Sequence, residues 1–313
     1  MSGSPAAGFA LLPSRAREDE RASPTALRRQ GGAESMSRLV WRRFRRHRLA
    51  LAGMAILLAL SLFAFAVPLF VAEDAANRLV VTEILRPPSV AHPFGTDDVG
   101  RDIFLRSVFG GQVSLRIGFL AALLSVTIGI AVGAVAGYNL GWIDNTLMRF
   151  TDSLLSIPTL FILIVLTQVI GQSIAVITVV IGILSWMGVS RLVRANVLSL
   201  AQQDFVLAAR AIGVGPGTIL VRHILPNTLA PVVVAATLGV GQAIILEASL
   251  SFLGLGVQPP TATWGNMLYR AQSFLVTAPW IAFFPGMLIL ITVLCVNFVG
   301  DGLRDAFDPR AIR

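Results

Sequence analysis

A chain of 313 residues that is 55% apolar and only 13% charged, with a mean hydropathy of +0.76, is too poor in charge to stay dispersed without lipid. Soluble domains carry about a quarter charged residues. The net charge of +8 rests on arginine alone, since the sequence contains no lysine; this excludes a lysine-bearing phosphate loop and lysine Schiff-base chemistry, so any ATP hydrolysis belongs to another polypeptide.

In chain order, residues 1–37 are rich in Ser, Ala, Pro, Gly and Arg without a periodic apolar face, the composition of a disordered tail. A basic cluster at 41–48 follows, Trp41-Arg42-Arg43-Phe44-Arg45-Arg46-His47-Arg48, and completes an N-terminal tail of residues 1–48. The uncharged run 49–71 is long enough for a first span, which takes roughly 20 residues. Ala64-Phe65-Ala66 resembles a signal-cleavage site, but the run starts far into the chain and exceeds a signal core, so an uncleaved helix is expected. The neighbouring arginines read as topogenic charge that holds the N-terminus in the cytoplasm, in preference to a nucleic-acid surface.

Residues 72–116 are polar and mixed, and are expected to form an extracytoplasmic loop. Its charged cluster, Asp97, Asp98, Arg101 and Asp102, either pairs internally and caps turns or touches substrate or an external partner; Asp98-Val99-Gly100 suits a turn. A membrane core then occupies 117–299. The stretch 117–138 is uncharged, and Asp144, Arg149 and Asp152 mark a short loop. Residues 154–190 are uncharged but too long for one helix, and Gly171-Gln172-Ser173 divides them into two spans. A polar segment, 191–227, precedes a fifth span near 229–246; residues 254–276 form a Pro/Gly-bearing loop, a sixth span covers 280–299, and 300–313 is a polar tail. The single cysteine, Cys295, lies in the last apolar run and reads as a small hydrophobe, with no intramolecular disulfide or cysteine metal cluster available. The expected fold is an all-α polytopic membrane protein with about six spans and both termini on one side. Fourteen span-flanking arginines fall on the predicted cytoplasmic side and six on the other, the sense of the positive-inside rule, although the first outer loop holds five of those six.

The segment between spans four and five carries the most information. It reads Asp204-Phe205-Val206-Leu207-Ala208-Ala209-Arg210-Ala211-Ile212-Gly213, then Val214-Gly215-Pro216-Gly217, then Thr218-Ile219-Leu220-Val221-Arg222-His223-Ile224-Leu225-Pro226-Asn227. Two short helices around a Gly-Pro turn are expected, with Asp204 capping the first, Gly213 ending it and Thr218 capping the second. Phe205, Ala208, Ala209 and Ile212 follow the i, i+3, i+4, i+7 spacing, which gives one small apolar face. Such a face either packs on the chain's own helix ends or docks in a groove of a partner.

This pattern resembles the coupling-loop motif of bacterial ATP-binding-cassette (ABC) importer permeases: E-A-A, three residues, Gly, nine residues, I-x-L-P. Ala208-Ala209, Gly213 and Leu225-Pro226 stand at those intervals, and His223 takes the Ile position in a His-Ile-Leu-Pro-Asn run similar to the peptide-permease branch. Leu207 replaces the motif's glutamate. His92-Pro93-Phe94-Gly95-Thr96-Asp97-Asp98-Val99-Gly100-Arg101-Asp102 resembles the signature after the first span of dipeptide-permease C-type subunits. So do Ser251-Phe252-Leu253-Gly254-Leu255-Gly256-Val257-Gln258-Pro259-Pro260-Thr261 with Trp264-Gly265, and Gly300-Asp301-Gly302-Leu303-Arg304-Asp305-Ala306-Phe307-Asp308-Pro309. The resemblance covers most of the chain from Trp41 onward. It implies a permease subunit that pairs with a B-type permease, with two ATPase subunits binding ATP and Mg below it, and an extracytoplasmic binding protein above. The chain itself would hold no cofactor and no catalytic residue. Asp204, Phe205, Ala208, Ala209, Arg210, Gly213, His223, Leu225 and Pro226 would couple to the ATPases.

Glu247 is a lone acid near the end of span five, roughly 27 Å along a helix that starts near Leu229. It is expected either as an interfacial, solvated acid or as a pathway residue near a peptide's amino terminus. A secondary transporter is the main rival reading, but the expected span centres carry no charge for ion coupling. An intramembrane hydrolase is disfavoured because His47, His92 and His223 all lie outside the expected spans. The same permease pattern resembles dipeptide, oligopeptide, glutathione and nickel importers; di- or oligopeptides are the first expectation.

Overall fold

The computed structural model describes residues 36–307. Among these the helices are α1 (Met36–Phe44), α2 (Arg48–Ala66), α3 (Glu73–Asn77), α4 (Ile103–Asn139), α5 (Gly141–Leu155) and α6 (Thr159–Ile170). Then come α7 (Ile174–Leu200), α8 (Asp204–Ala211), α9 (Pro216–Thr218), α10 (Leu225–Phe252), α11 (Trp264–Ala271) and α12 (Trp280–Phe307). One isolated bridge, between Thr96 and Asp102, is the only strand-like pairing among the described residues. Five helical stretches are long and apolar enough to cross a membrane, and α5 with α6, bent by 84°, makes a sixth when taken as one broken span. The disordered tail expected up to residue 37 falls mostly outside the described residues, as does the end of the C-terminal tail from 308.

Several boundaries differ from the sequence reading, each for a local reason. α4 starts at Ile103, fourteen residues before the uncharged stretch, because its opening turns carry Arg106 and Arg116, which a charge criterion rejects. Asp144, Arg149 and Asp152 lie in α5 instead of a loop. The chain bends at Ser156-Ile157-Pro158, where proline disfavours helical backbone at the residue before it. Residues 216–252 form one continuous helical run. The second short helix therefore merges with the fifth span through a π-turn at Ile219–Ile224, just before Pro226. Proline lacks an N–H and crowds the carbonyl four residues back, and the wider turn relieves both. Likewise α12 runs through the expected polar tail to Phe307.

The centre of the bundle is the seam between α4 and α7. Gly129, Gly133 and Gly137 recur every fourth residue and lie under α7: a Cβ at Gly133 would stand 2.4 Å from the Ser190 carbonyl oxygen and 2.8 Å from Val193 Cβ. Small residues at this spacing let two helix backbones approach closely, which gives the van der Waals packing that helps drive helix association in lipid. Ile117, Ala121, Leu163, Ile177, Ile181 and Leu250 form one buried cluster along this seam, joining α4, α6, α7 and α10. α2 packs on α12, with Gly53 against the Cys295 backbone and Ala50, Phe44 and Ala306 buried together.

Candidate functional site

The bundle has two ends of different character. At one, α8 stands between α7 and α10. Val206 and Ala209 are buried against Val193, Val197, Ile219 and Ile224, and these contacts anchor α8 to its own bundle. The opposite arc is bare: Phe205, Leu207 and Ile212 are exposed, Ile212 to 81%, and Ala208 is exposed beside them. The expected apolar face is thus split. Ala209, assigned to it by spacing, points into the bundle, while Leu207 joins the outward face. Because the motif's glutamate is replaced by this leucine, the free surface is more apolar than the motif prescribes.

Local backbone fixes this helix. Gly213 has φ +81°, and its N–H bonds the Arg210 carbonyl at 3.0 Å while the Val214 N–H reaches the Ala209 carbonyl at 3.0 Å. That is the Schellman pattern, in which glycine takes the left-handed position. Two expected caps are not caps. Gln203 occupies the N-cap of α8 without a side-chain bond, and Asp204 sits in the first turn, where its charge meets the positive helix end. Thr218 lies inside the helical run. Arg210 stands 5.9 Å from the centre of the Tyr138 ring. His223 is half-buried and its carbonyl accepts from Asn227 Nδ2 at 2.7 Å; Leu225 and Pro226 open α10. Nearby, Arg194 holds Asp144 through two bonds, at 2.5 and 2.6 Å, and Arg191 pairs with Asp152, so α5 is tied to α7.

At the other end most of the charged groups are paired within the chain. Asp97 accepts from Arg101 Nε at 2.7 Å and from the backbone N–H of Val99 and Arg101, and both side chains are almost fully buried. Asp102 caps α4 at the Leu105 N–H and bonds His92 Nδ1 at 2.7 Å, while His92 Nε2 faces Glu83 at 3.2 Å. Asp98 pairs with Arg270 of α11 at 3.1 Å. Gly100 has φ +79° and touches Val80 so closely that a Cβ would lie 2.0 Å from its carbonyl oxygen. Of the two readings of this cluster, internal pairing and turn capping is the one its geometry matches.

Glu247 is fully buried, which removes the solvated interfacial acid expected from the sequence. Its carboxylate accepts from Ser251 at 2.8 Å and from Ser114 at 3.4 Å, and the Ser114 oxygen accepts from the Trp264 N–H at 3.3 Å. The acid thereby ties α10 to α4 and to the start of α11. Loop placement estimated its depth but not its cover, because α11 folds back over it. The loop before α11 is held by Asn266, whose Nδ2 donates to the Val257 and Thr261 carbonyls at 3.0 and 2.8 Å.

Sequence reading missed three features. The Gly129/Gly133/Gly137 repeat was visible as a spacing signal. The Asp144–Arg194 clamp was not, since its partners are fifty positions apart. Arg106, a buried guanidinium in α4, carries no sequence mark that separates it from its neighbours.

A helical bundle that crosses the membrane five or six times, with a short apolar-faced helix presented between two spans, is the build of a membrane-embedded transport component. Residues 129–313 match the family described as "binding-protein-dependent transport system inner membrane component", and residues 35–88 match the "N-terminal TM domain of oligopeptide transport permease C". A "putative peptide permease protein" of Brucella suis biovar 1 (strain 1330) is 45% identical over 271 residues, 86% of this chain and 89% of the relative. The "dipeptide transport system permease protein DppC" of Alkalihalophilus pseudofirmus is 41% identical over 278 residues, 89% and 91% of the two chains. The "glutathione transport system permease protein GsiD" of Escherichia coli O6:K15:H31 is 44% identical over 270 residues, 86% and 89%. In fold, the chain is similar to one from a structure described as inward facing conformations of the MetNI methionine ABC transporter, with a TM-score of 0.55 and 21% identity over 66% of this chain and 97% of that one. The chain belongs to the binding-protein-dependent transport permease family: it is a non-catalytic permease subunit of an ABC importer.

Proposed function

We propose that this subunit carries di- or oligopeptides across the bacterial cytoplasmic membrane, as one half of a heterodimer with a B-type permease. Two ATPase subunits, binding ATP and Mg, drive it from the cytoplasm, and an extracytoplasmic binding protein delivers the peptide. The observation that carries the coupling role is the free apolar arc of α8, Phe205, Leu207, Ala208 and Ile212, on a helix anchored from behind by Val206 and Ala209. A surface of that kind is matched by a groove on a partner. Asp204, Arg210, Gly213, His223, Leu225 and Pro226 position it or rim it. The arginine distribution supports the α8 end and both termini in the cytoplasm, and the loop 72–102 with α11 on the outside. ATP-driven closure would move α8, and with it α7 and α10, as rigid bodies that alternate access.

The peptide assignment rests on the names of the relatives, among which glutathione also appears; glutathione or nickel import by the same architecture is the second reading. Uptake of labelled dialanine, glutathione and nickel into cells that lack other routes for them, with and without this gene, separates these readings. Gene-dependent dialanine uptake supports the proposal, and uptake of nickel alone overturns it. For coupling, Ile212→Glu in the complete importer should leave the ATPase subunits active but transport lost. Full transport in that variant would mean that the arc of α8 is not the docking surface.

A further inference from the structure

Between the loop after α10 and α11 lies a cleft of about 600 Å³, lined by Asp98, Arg106, Ser251, Gln258, Tyr269 and Arg270 among others. Its volume falls in the range of small-molecule sites, about 300–1,000 Å³. Two arginines line it, Arg106 of α4 and Arg270 of α11, and Arg101 lies nearby, just before α4; their partners are unequal. Arg101 is held by Asp97 and Arg270 by Asp98. Arg106 has no carboxylate within ion-pair distance among the described residues. The one hydrogen bond of its side chain goes from Nη1 to the neutral amide oxygen of Asn77 at 2.6 Å, although the residue is only 3% exposed. A buried cation without a counter-charge is costly to hold, whereas a guanidinium with unused donors is suited to a carboxylate in a two-point geometry. Of these three arginines, Arg106 is the one that faces the cleft without an ion-pair partner.

We propose that this cleft is a carboxylate-recognition site in which Arg106 receives the free C-terminal carboxylate of a short peptide as it enters the permease. The site rests on the peptide reading above and deepens it: it demands a free-acid ligand. Asn77, from α3, positions the guanidinium. Tyr269, Val257, Pro259 and Phe274 supply apolar surface to the lining. Ser251, in the lining, bonds Glu247 within α10, and the other oxygen of that acid meets Ser114 of α4.

The test uses the complete importer in nanodiscs without its binding protein, and saturation-transfer NMR with dialanine and with dialanine amide, which differ only in the terminal carboxylate. Dialanine should give a signal that the amide neither reproduces nor displaces. Arg106→Gln should weaken dialanine binding about ten- to a hundredfold, the loss expected of a charge-assisted bond, and Arg106→Lys should recover part of it. Assembly of each variant with the ATPase subunits, read by size-exclusion, checks that the fold is intact. Equal binding of free acid and amide, or unchanged binding in a folded Arg106→Gln variant, overturns the proposal. So does an Arg106→Gln variant that binds dialanine normally yet no longer docks the binding protein, which would assign the arginine to an acid on that partner. Cellular uptake reports on the parent reading separately. Dialanine uptake by the wild type together with no free-acid preference in the cleft sinks the carboxylate site alone. Wild-type uptake of neither dialanine nor longer alanine peptides sinks the peptide reading and the site with it.

Discussion

The two ends of the bundle handle their side chains in opposite ways. At the α11 end, charged groups are drawn inward and, Arg106 apart, matched: Asp97 with Arg101, Asp98 with Arg270, Asp102 with His92 and the α4 backbone. At the α8 end, apolar groups are turned outward and left bare, with Ile212 and Val221 both more than half exposed. Buried charges stay put only when paired, so the first end is built to hold one arrangement. Exposed apolar side chains in a cluster mark a surface awaiting cover, and the second end carries the surface proposed above to dock another chain. A transporter subunit that receives a solute at one face and force at the other needs this division.

The comparison breaks most visibly if the matched end is unmatched. Asp97→Ala leaves Arg101 buried without its partner, and breaking a buried pair costs about 3–5 kcal/mol. The expected result is a large fall in folded yield and thermal stability of the purified subunit; an unchanged melting profile would mean that the cluster is not a structural lock. Next comes the seam that joins the ends. Gly133→Leu drives a side chain into the Ser190 carbonyl and Val193, and overpacking of this kind costs about 1–3 kcal/mol. Thermal unfolding in detergent should show the loss, with Gly133→Ala intermediate.

Smaller effects sharpen the other side. Gly213→Ala meets no neighbour within 4 Å, so only the left-handed backbone resists it, at about 1–2 kcal/mol. Hydrogen exchange should rise in residues 204–215 and not in α4 or α7; protection lost throughout the bundle would contradict a local role. Least of all, Ile212→Ser should alter the stability of the isolated subunit by no more than about 0.5 kcal/mol, as exposed positions do, while recovery of ATPase subunits with it falls. Equal recovery would remove Ile212 from the docking surface.

Much of this was readable along the chain. Leu163, Ile177 and Ile181 lie in runs whose apolarity alone places them in lipid or core. The spacing of Ala208, Gly213 and Pro226 marked the segment between α7 and α10, and Gly213 does end its helix. Errors arose where a helix carries charge, as α4 does at Arg106 and Arg116, or where proline decides between a break and a wider turn, as at Pro158 and Pro226. Asp204 and Thr218 had the right side chains for caps, but capping needs an extended backbone at the residue itself, and both are helical.

By itself the sequence determined that the chain is a membrane-embedded helical bundle, that it lacks the lysine a phosphate loop needs, and that residues 204–227 form a distinct device. Those properties depend on composition and on neighbours a few positions apart, and hydropathy, spacing and glycine conformation act at that range. Only the tertiary structure decided that Ala209 faces inward and Leu207 outward, that α11 covers Glu247, and that Arg106 alone among three clustered arginines has no carboxylate. Each of these depends on which distant helix supplies the opposing surface, and burial and pairing are set by that surface rather than by the residue.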